Sequence, residues 1–256
     1  MLIGGPGNDQ IDGGRGSDTA SLGSGDDRFT WDPGDGSDAV DGGAGNDTLG
    51  FDGANVPEHM ELSADSSHVH LFRDVGNVTM DLSTIETAEI NASGAADTIT
   101  VEDLTGTGLR TAAVDLGATP GGPGDGQPDT VIVNGTDHAD HVHLSSTPGN
   151  VLVSGLATQT HITGAEPTND TLDVNTLAGN DTIDGGAAVS GVASVAIDGG
   201  LGTDVVNYLG SAGPDTINVA ADGTAVRTTA PTASPTETAT RTTPPGIGAR
   251  AEPAAT

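Results

Sequence analysis

The apolar residues of this chain recur singly and at short intervals, rather than in runs or with the 3.6-residue period of a helix. Over residues 4–50, an apolar residue follows two positions after an aspartate in each of five consecutive segments, at Ile11, Ala20, Phe29, Val40 and Leu49. Glycine-rich stretches separate these segments. An apolar residue between polar neighbours, bounded by turn residues, is typical of a short half-buried strand. We therefore predict an all-β chain of short strands joined by tight turns.

The five segments share the nonapeptide G-G-x-G-x-D-x-U-x, in which U is the apolar residue. Its sixth position is held by Asp9, Asp18, Asp27, Asp38 and Asp47. Five units in nearly constant register indicate a true internal repeat. Two units depart from it, because Leu22 replaces the first glycine of the third unit and Asp32-Pro33 disrupts the opening of the fourth. We expect those two turns to be weakened or reshaped.

A thinner form of the pattern continues along the chain. The D-x-U core recurs at Asp97, Asp129, Asp140, Asp170 and Asp181, and the full turn returns at 199–204. From about residue 225 the composition changes to Thr, Pro and Ala, which cannot bury enough apolar surface to order a segment. We predict four segments: a repeat block at 1–50, a degenerate β-solenoid spacer at 51–198, a short second repeat block at 199–224 and a disordered tail at 225–256.

Each position of the nonapeptide has a physical role. The glycines permit positive φ and sharp turns, which point several carbonyl oxygens inward, and the aspartate adds a carboxylate. The result is a flexible, oxygen-only cage that suits Ca²⁺ rather than Mg²⁺ or a transition metal. The candidate calcium ligands are the turn glycines and sixth-position aspartates Gly5, Gly7, Asp9, Gly14, Gly16, Asp18, Gly23, Gly25, Asp27, Gly34, Gly36, Asp38, Gly43, Gly45, Asp47, Gly200, Gly202, Asp204 and Asp215.

Two nonapeptides should complete one turn of a coil. Asp9, Asp27 and Asp47 should then line one edge, with Asp18 and Asp38 along the other. The apolar residue of each strand should point into a narrow core that is one residue deep. Asp12, Asp26, Asp32, Asp35 and Asp41 fall outside the sixth position, and we expect them to be solvated turn acids.

Charge and composition support a cation as the ligand. The chain has 37 acidic and 7 basic residues, a net charge of -30, and no cysteine. Such a charge opposes contact with nucleic acid or anionic lipid and favours cations. The absence of cysteine excludes disulfides and thiolate sites. No apolar run approaches the roughly 20 residues of a membrane helix, so we expect no membrane insertion. The chain starts inside a repeat without a signal peptide, which suggests a fragment or an export signal elsewhere.

The five units from Gly4 to Leu49 resemble the haemolysin-type calcium-binding repeats of secreted bacterial RTX proteins, and the resemblance returns over 199–217. It implies a parallel β-roll with Ca²⁺ bound between its turns. It also implies an extracellular or cell-surface location reached by type I secretion, although the C-terminal secretion signal of the family is not recognisable here. Aspartate beside glycine also occurs in turns that bind nothing. Five registered units and a charge of -30 favour the calcium interpretation.

The histidines suggest a second metal site. His138, His141 and His143 lie close together along the chain, and three imidazoles would hold Zn²⁺. No H-E-x-x-H motif or separately placed acid and base accompanies them. We therefore interpret them as exposed residues of an edge strand. Trp31, two residues after Phe29, is interpreted as part of the first block's core rather than a sugar-binding residue.

Three functions remain open. The leading one is a non-catalytic, calcium-dependent structural module of a secreted or surface protein. The alternative is the accessory repeat region of a larger exported enzyme or toxin whose catalytic domain is absent from this chain. A histidine–zinc hydrolase is the third and is disfavoured. No residue identifies a protein or glycan partner.

Overall fold

The computed structural model describes residues 1–147, 149–185 and 194–208, together with the strands at 216–220, 227–228 and 238–242. All regular elements in this described part are β-strands. In chain order they are β1 (Leu2–Pro6), β2 (Gln10–Asp12), β3 (Thr19–Ser24), β4 (Arg28–Trp31), β5 (Ala39–Ala44), β6 (Thr48–Asp52), β7 (His59–Asp65), β8 (His68–Arg73), β9 (Val78–Ser83), β10 (Thr87–Asn91), β11 (Thr98–Val101), β12 (Thr111–Asp115), β13 (Thr130–Asn134), β14 (His141–Thr147), β15 (Asn150–Ser154), β16 (Gln159–Thr163), β17 (Thr171–Asn175), β18 (Ala178–Gly179), β19 (Thr182–Gly185), β20 (Ser194–Asp198), β21 (Leu201–Gly202), β22 (Val205–Tyr208), β23 (Thr216–Ala220), β24 (Arg227–Thr228) and β25 (Thr238–Thr242).

The chain winds as a coil between two mostly parallel sheets, which confirms the predicted all-β parallel roll. Within the described residues, sheet A has 12 strands in the order β1-β3-β5-β9-β8-β7-β11-β13-β17-β20-β23-β25. Sheet B has 11, in the order β2-β4-β6-β10-β12-β16-β15-β14-β19-β22-β24. Leu2 pairs with Ala20 in sheet A, and Ile11 pairs with Phe29 in sheet B. One turn of the coil therefore takes two nonapeptides at the start of the chain.

Two antiparallel meanders interrupt the coil, one in each sheet. In sheet A, β7, β8 and β9 pair antiparallel, and in sheet B β14, β15 and β16 do the same. The last strand of each meander pairs in parallel with a strand of the preceding coil. In sheet A β9 pairs with β5, and in sheet B β16 pairs with β12. Ser66 and Asn77 have positive φ values of 60° and 51° in the two connections of the first meander, which suits tight turns.

The core is deeper than predicted. Most strands are long enough that two of their residues, separated by one position, face inward. In β13, for example, Val131 and Val133 are both buried, and in β4 Phe29 and Trp31 are both fully buried. The prediction of a core one residue deep is therefore wrong. It counted only the apolar residue of the repeat and overlooked the next inward position along the same strand.

Trp31 belongs to this core, as predicted. Its ring stacks on Phe51 with centroids 4.2 Å apart and an interplanar angle of 9°. Its Nε1–H donates to the carbonyl oxygen of Gly36 at 2.8 Å, which provides a partner for a buried indole. Leu22, which replaces a turn glycine, is also fully buried in the core.

Part of the predicted organisation concerns residues outside the described ones. Asp215 lies there, as does most of the segment 225–256 that we predict to be disordered. Within that segment the structure describes the strands β24 and β25. The division into four segments stays a prediction. Both sheets continue across its boundary at residue 50, since β6 pairs with β10 in sheet B and β5 with β9 in sheet A. No helix in the described part of the chain is long and apolar enough to cross a membrane.

Candidate metal centre

The repeat turns stack in two columns, one at each edge of the roll. Asp9, Asp27 and Asp47 immediately precede β2, β4 and β6, so their turns all lead into sheet B. Asp18 and Asp38 precede β3 and β5, and their turns lead into sheet A. This is the alternation expected from two nonapeptides per coil.

Close stacking of the turns explains their glycines. A Cβ atom at Gly23 would collide with the carbonyl oxygen of Gly5, and one at Gly43 would collide with that of Gly23. Gly36 has the same relation to the carbonyl oxygen of Gly16. Positive φ values occur at all but one of the turn glycines predicted as ligands, the exception being Gly36, and they are found at Gly5, Gly7, Gly14, Gly16, Gly23, Gly25, Gly34, Gly43, Gly45, Gly200 and Gly202.

The sixth-position aspartates form a hydrogen-bonded ladder along each edge. The backbone N–H of Asp9 donates to Oδ1 of Asp27 at 2.7 Å, and that of Asp27 donates to Oδ1 of Asp47 at 2.8 Å. On the other edge, the N–H of Asp18 donates to Oδ1 of Asp38 at 2.7 Å. Each carboxylate is thus held by the backbone of the preceding coil. The presence of Leu22 in place of a turn glycine leaves the ladder intact, because Asp27 in the same unit accepts from the N–H of Asp9 and donates its own N–H to Asp47.

The second oxygen of these carboxylates has no such partner. Within the described part of the chain, Oδ2 of Asp9, Asp27, Asp38 and Asp47 is buried without a hydrogen bond. An unpartnered buried carboxylate oxygen is costly unless a cation or a proton compensates it. The donor set therefore fits a hard cation such as Ca²⁺, which binds carboxylate and carbonyl oxygens.

Burial also shifts the proton affinity of these groups. The pKa of Asp47 is raised, mainly by burial, and the nearby carboxylates of Asp27 and Glu86 add to the shift. Burial is likewise the main cause of the raised pKa of Asp38. In both cases the backbone hydrogen bond to Oδ1 opposes the shift without cancelling it. At both edges, an ionised aspartate without a bound proton or cation is therefore unfavourable.

The ladder extends into the segment that we predict to be a spacer. At the sheet A edge, the N–H of Glu58 donates to Oδ1 of Asp97, that of Asp97 to Asp129, and that of Asp129 to Asp170. Burial, opposed by these hydrogen bonds and reinforced by neighbouring carboxylates, raises the pKa of Asp97 to about 8 and that of Asp129 to about 7. Oδ2 of Asp97 is buried and, among the described residues, has no partner.

The sheet B edge has the same arrangement further along. The N–H of Asp140 donates to Oδ1 of Asp181 at 2.8 Å, and that of Asp181 donates to Oδ1 of Asp204 at 3.1 Å. Of these three, only Asp204 was among our candidate ligands. The signal for the others was the D-x-U core, which the sequence does show at Asp140 and Asp181.

The glycine five positions before an aspartate was also missed. A Cβ atom at Gly42 would lie 2.7 Å from Oδ2 of Asp47, and one at Gly199 would lie 2.7 Å from Oδ2 of Asp204. The first glycine of the G-G pair therefore makes room for the carboxylate. The doubled glycine in the repeat was the available signal.

The acids outside the sixth position are mostly exposed, as predicted. Asp12 caps its own turn by accepting from the N–H of Gly14 at 2.8 Å. Asp26 does more than expected, because it accepts from the N–H of Asn46 while its own N–H donates to Oδ1 of Asn8. The fifth position of the repeat thus forms a second, exposed ladder beside the first.

Comparison with protein families shows which known repeat these turns belong to. A family model for the RTX calcium-binding nonapeptide repeat matches four copies, over residues 1–29, 34–49 and 169–188. The chain carries RTX calcium-binding nonapeptide repeats. RTX repeats bind Ca²⁺, so calcium is the cofactor of this fold.

The matched RTX copies cover the first repeat block and part of the predicted spacer. The match at 169–188 includes Asp170 and Asp181, both of which belong to the ladders. The matched residues do not include 199–217, so the second repeat block stays a prediction. Searches of curated proteins and of solved structures found no match to the chain.

The histidines do not lie on an edge strand. His141 and His143 are on β14, which lies between β15 and β19 in sheet B, so that part of the prediction is wrong. Both side chains are exposed. The nearby acid is Asp184 of β19, whose Oδ2 lies 2.7 Å from Nε2 of His141. His138 is in the preceding turn, where its backbone N–H donates to Oγ1 of Thr136.

Proposed function

We propose that Ca²⁺ bound at the turns of this roll drives its folding, and that the roll is a structural module of a secreted or surface protein. The observation that carries the proposal is the set of buried sixth-position carboxylates at Asp27, Asp38 and Asp47. In each, Oδ1 is held by the preceding coil and Oδ2 is buried without a partner among the described residues. The proposed ligands are those aspartates and the carbonyl oxygens of the stacked turn glycines.

Electrostatic repulsion supports a requirement for cations. Neighbouring strands of a sheet lie about 5 Å apart, and the ladder places one carboxylate on each coil of an edge. Two unit charges at that separation repel by about 3 kcal/mol at an effective dielectric constant of about 20. Several such repulsions are comparable with the total stability of a domain, about 5–15 kcal/mol. Bound Ca²⁺ would convert these repulsions into attraction.

The proposed location rests on the repeat type. RTX repeats are typical of secreted bacterial proteins. Extracellular calcium modules bind Ca²⁺ with dissociation constants of about 10⁻⁴ to 10⁻³ M, so a roll that folds at such concentrations folds after export. The repeat is a structural calcium-binding unit, and we propose no catalytic activity for the chain.

A circular dichroism titration tests the proposal. In chelator we expect a largely unfolded spectrum, and on addition of Ca²⁺ a cooperative gain of β-structure with a midpoint of roughly 10⁻⁴ to 10⁻³ M. Mg²⁺ is the control, since it demands octahedral geometry and dehydrates reluctantly. A spectrum that is the same in chelator and in millimolar Ca²⁺, or full replacement of Ca²⁺ by equimolar Mg²⁺, would contradict the proposal.

A further inference from the structure

A cluster of two histidines and one aspartate lies on the exposed face of sheet B and begins one residue after Asp140 of the sheet B ladder. His141 and His143 are two positions apart on β14 and therefore face the same side. The parallel pairing of β14 with β19 places Asp184 directly opposite His143. Asp184 follows His141 by 43 residues in the sequence, so the cluster exists only in the folded roll.

The three side chains converge on one point. Nε2 of His141 lies 2.7 Å from Oδ2 of Asp184, and Nδ1 of His143 lies 3.5 Å from the same oxygen. One candidate ligand atom from each residue lies within 4.8 Å of the others. The imidazole rings are close as well, with centroids 4.3 Å apart.

The carboxylate is held in position from its other side. Nδ2 of Asn207, on the next strand β22, donates to Oδ1 of Asp184 at 2.8 Å. This hydrogen bond leaves Oδ2 directed at the histidines. Such a neighbour, which orients a ligand without touching the metal, is a usual feature of protein metal sites.

From this arrangement we infer that His141, His143 and Asp184 bind one divalent transition-metal ion of the Zn²⁺ class. Imidazole nitrogen suits Zn²⁺, Cu²⁺ and Ni²⁺, whereas the calcium sites offer only oxygen. The side chains of His141 and His143 are 57% and 51% exposed, so water can complete the coordination. The site is independent of the proposed calcium function, because none of its three side chains belongs to the carboxylate ladders.

The sequence contains the same tetrapeptide a second time. His-Val-His-Leu occurs at 68–71 on β8 as well as at 141–144 on β14. In the first copy, Nδ1 of His68 and Nε2 of His70 lie 2.7 Å and 3.7 Å from Oδ1 of Asp81. A test of the sheet B cluster must therefore be made with His68 and His70 replaced, so that Zn²⁺ binding cannot come from this first copy.

The test is isothermal titration calorimetry with Zn²⁺, on full-length protein in millimolar Ca²⁺ and in a His68→Ala/His70→Ala background. We expect stoichiometric Zn²⁺ binding that is weakened at least about 100-fold by His141→Ala/His143→Ala and about tenfold or more by Asp184→Asn, since loss of even outer ligand partners costs 10- to 100-fold. His161→Ala, which removes an exposed histidine of β16, is the matched control and should bind Zn²⁺ normally.

Either of two results would overturn the inference. One is the absence of stoichiometric Zn²⁺ binding in the background protein. The other is equal weakening by His161→Ala and by His141→Ala/His143→Ala, which would show diffuse surface binding. Circular dichroism of each variant separates this test from the calcium proposal. The histidine variants should keep their calcium-induced folding, because their side chains are exposed and take no part in the carboxylate ladders.

Discussion

At the scale of single residues, the two oxygens of a sixth-position aspartate have different surroundings. Oδ1 accepts a backbone N–H from the coil before, as Asp27 does from Asp9. In Asp27, Asp38 and Asp47, Oδ2 is buried without a partner among the described residues. We interpret the first oxygen as a structural link between coils and the second as the proposed cation ligand. Asp26, one position earlier, also accepts a backbone N–H from a neighbouring coil, but its carboxylate is exposed.

Substitutions at matched positions should separate these two kinds of aspartate. Asp27→Ala removes the proposed ligand and leaves the N–H of Asp9 without its acceptor, a loss of about 1–3 kcal/mol before any effect on calcium. We expect its calcium midpoint for folding to rise far more than that of Asp12→Ala or Asp35→Ala. The measurement is the circular dichroism titration. Equal shifts in all three variants would show that the assigned register is wrong.

A conservative variant distinguishes the ligand role from the hydrogen bond. Asp27→Asn retains an oxygen that can accept from the N–H of Asp9 while it removes the negative charge. If the charge matters, this variant should also raise the calcium midpoint.

At the scale of elements, stacking of β1, β3 and β5 depends on contact between glycine backbones. Gly23 has a φ of +117° and lies against the carbonyl oxygen of Gly5, so a side chain there is both strained and obstructed. Gly14 has a φ of +66°, and nothing lies within 4 Å of the position its Cβ would take. The two glycines therefore differ in what they tolerate, although the repeat makes them look alike.

We expect Gly23→Ala to destabilise the calcium-loaded roll by about 3 kcal/mol or more, through backbone strain together with a collision. Gly14→Ala should cost only about 1–2 kcal/mol, the usual penalty of a left-handed residue. Urea unfolding in saturating Ca²⁺ measures both. A similar decrease in the free energy of unfolding for both variants would show that the coils do not stack closely at Gly23.

At the scale of the whole molecule, buried carboxylates at the edges link folding to protons as well as to calcium. The pKa values of Asp97 and Asp129 rise from the ordinary 3.8 to about 8 and about 7 in the folded roll, chiefly because both are buried. A raised pKa in the folded state means that folding takes up protons. The resulting stabilisation is complete below the unfolded pKa near 3.8 and is lost as the pH rises through 7 to 8.

We therefore expect the calcium-free roll to become less stable as the pH rises from 5 to 8. The fraction of folded chain in chelator at each pH, followed by circular dichroism, measures the trend. Asp97→Asn should flatten the pH dependence, because it removes one of the groups that takes up a proton. Asp103→Asn, which alters an exposed acid of the neighbouring turn, should leave it unchanged. Stability that increases with pH over this range would contradict the assignment.

Features that depend on the local period of the chain could be predicted from the amino-acid sequence. Nonapeptide spacing predicted short strands, tight turns, two edges and the alternation of Asp9, Asp18 and Asp27 between them. It also predicted an oxygen-only ligand set, because the identity of the turn residues fixes the chemistry available. Strand and turn preferences act within a few residues. A nine-residue repeat shows the same preferences in several copies, which makes them easy to recognise in the sequence.

Which coils are neighbours could not be predicted from the sequence and is seen in the folded roll. Leu2 pairs with a residue 18 positions on, whereas Val40 pairs with Leu82, because the first meander is inserted between them. The same long-range pairing brings Asp184 to His143 and extends the carboxylate ladder beyond the nonapeptide units. Local patterns carry no information about these separations, since the register of distant strands is set by packing of the whole roll.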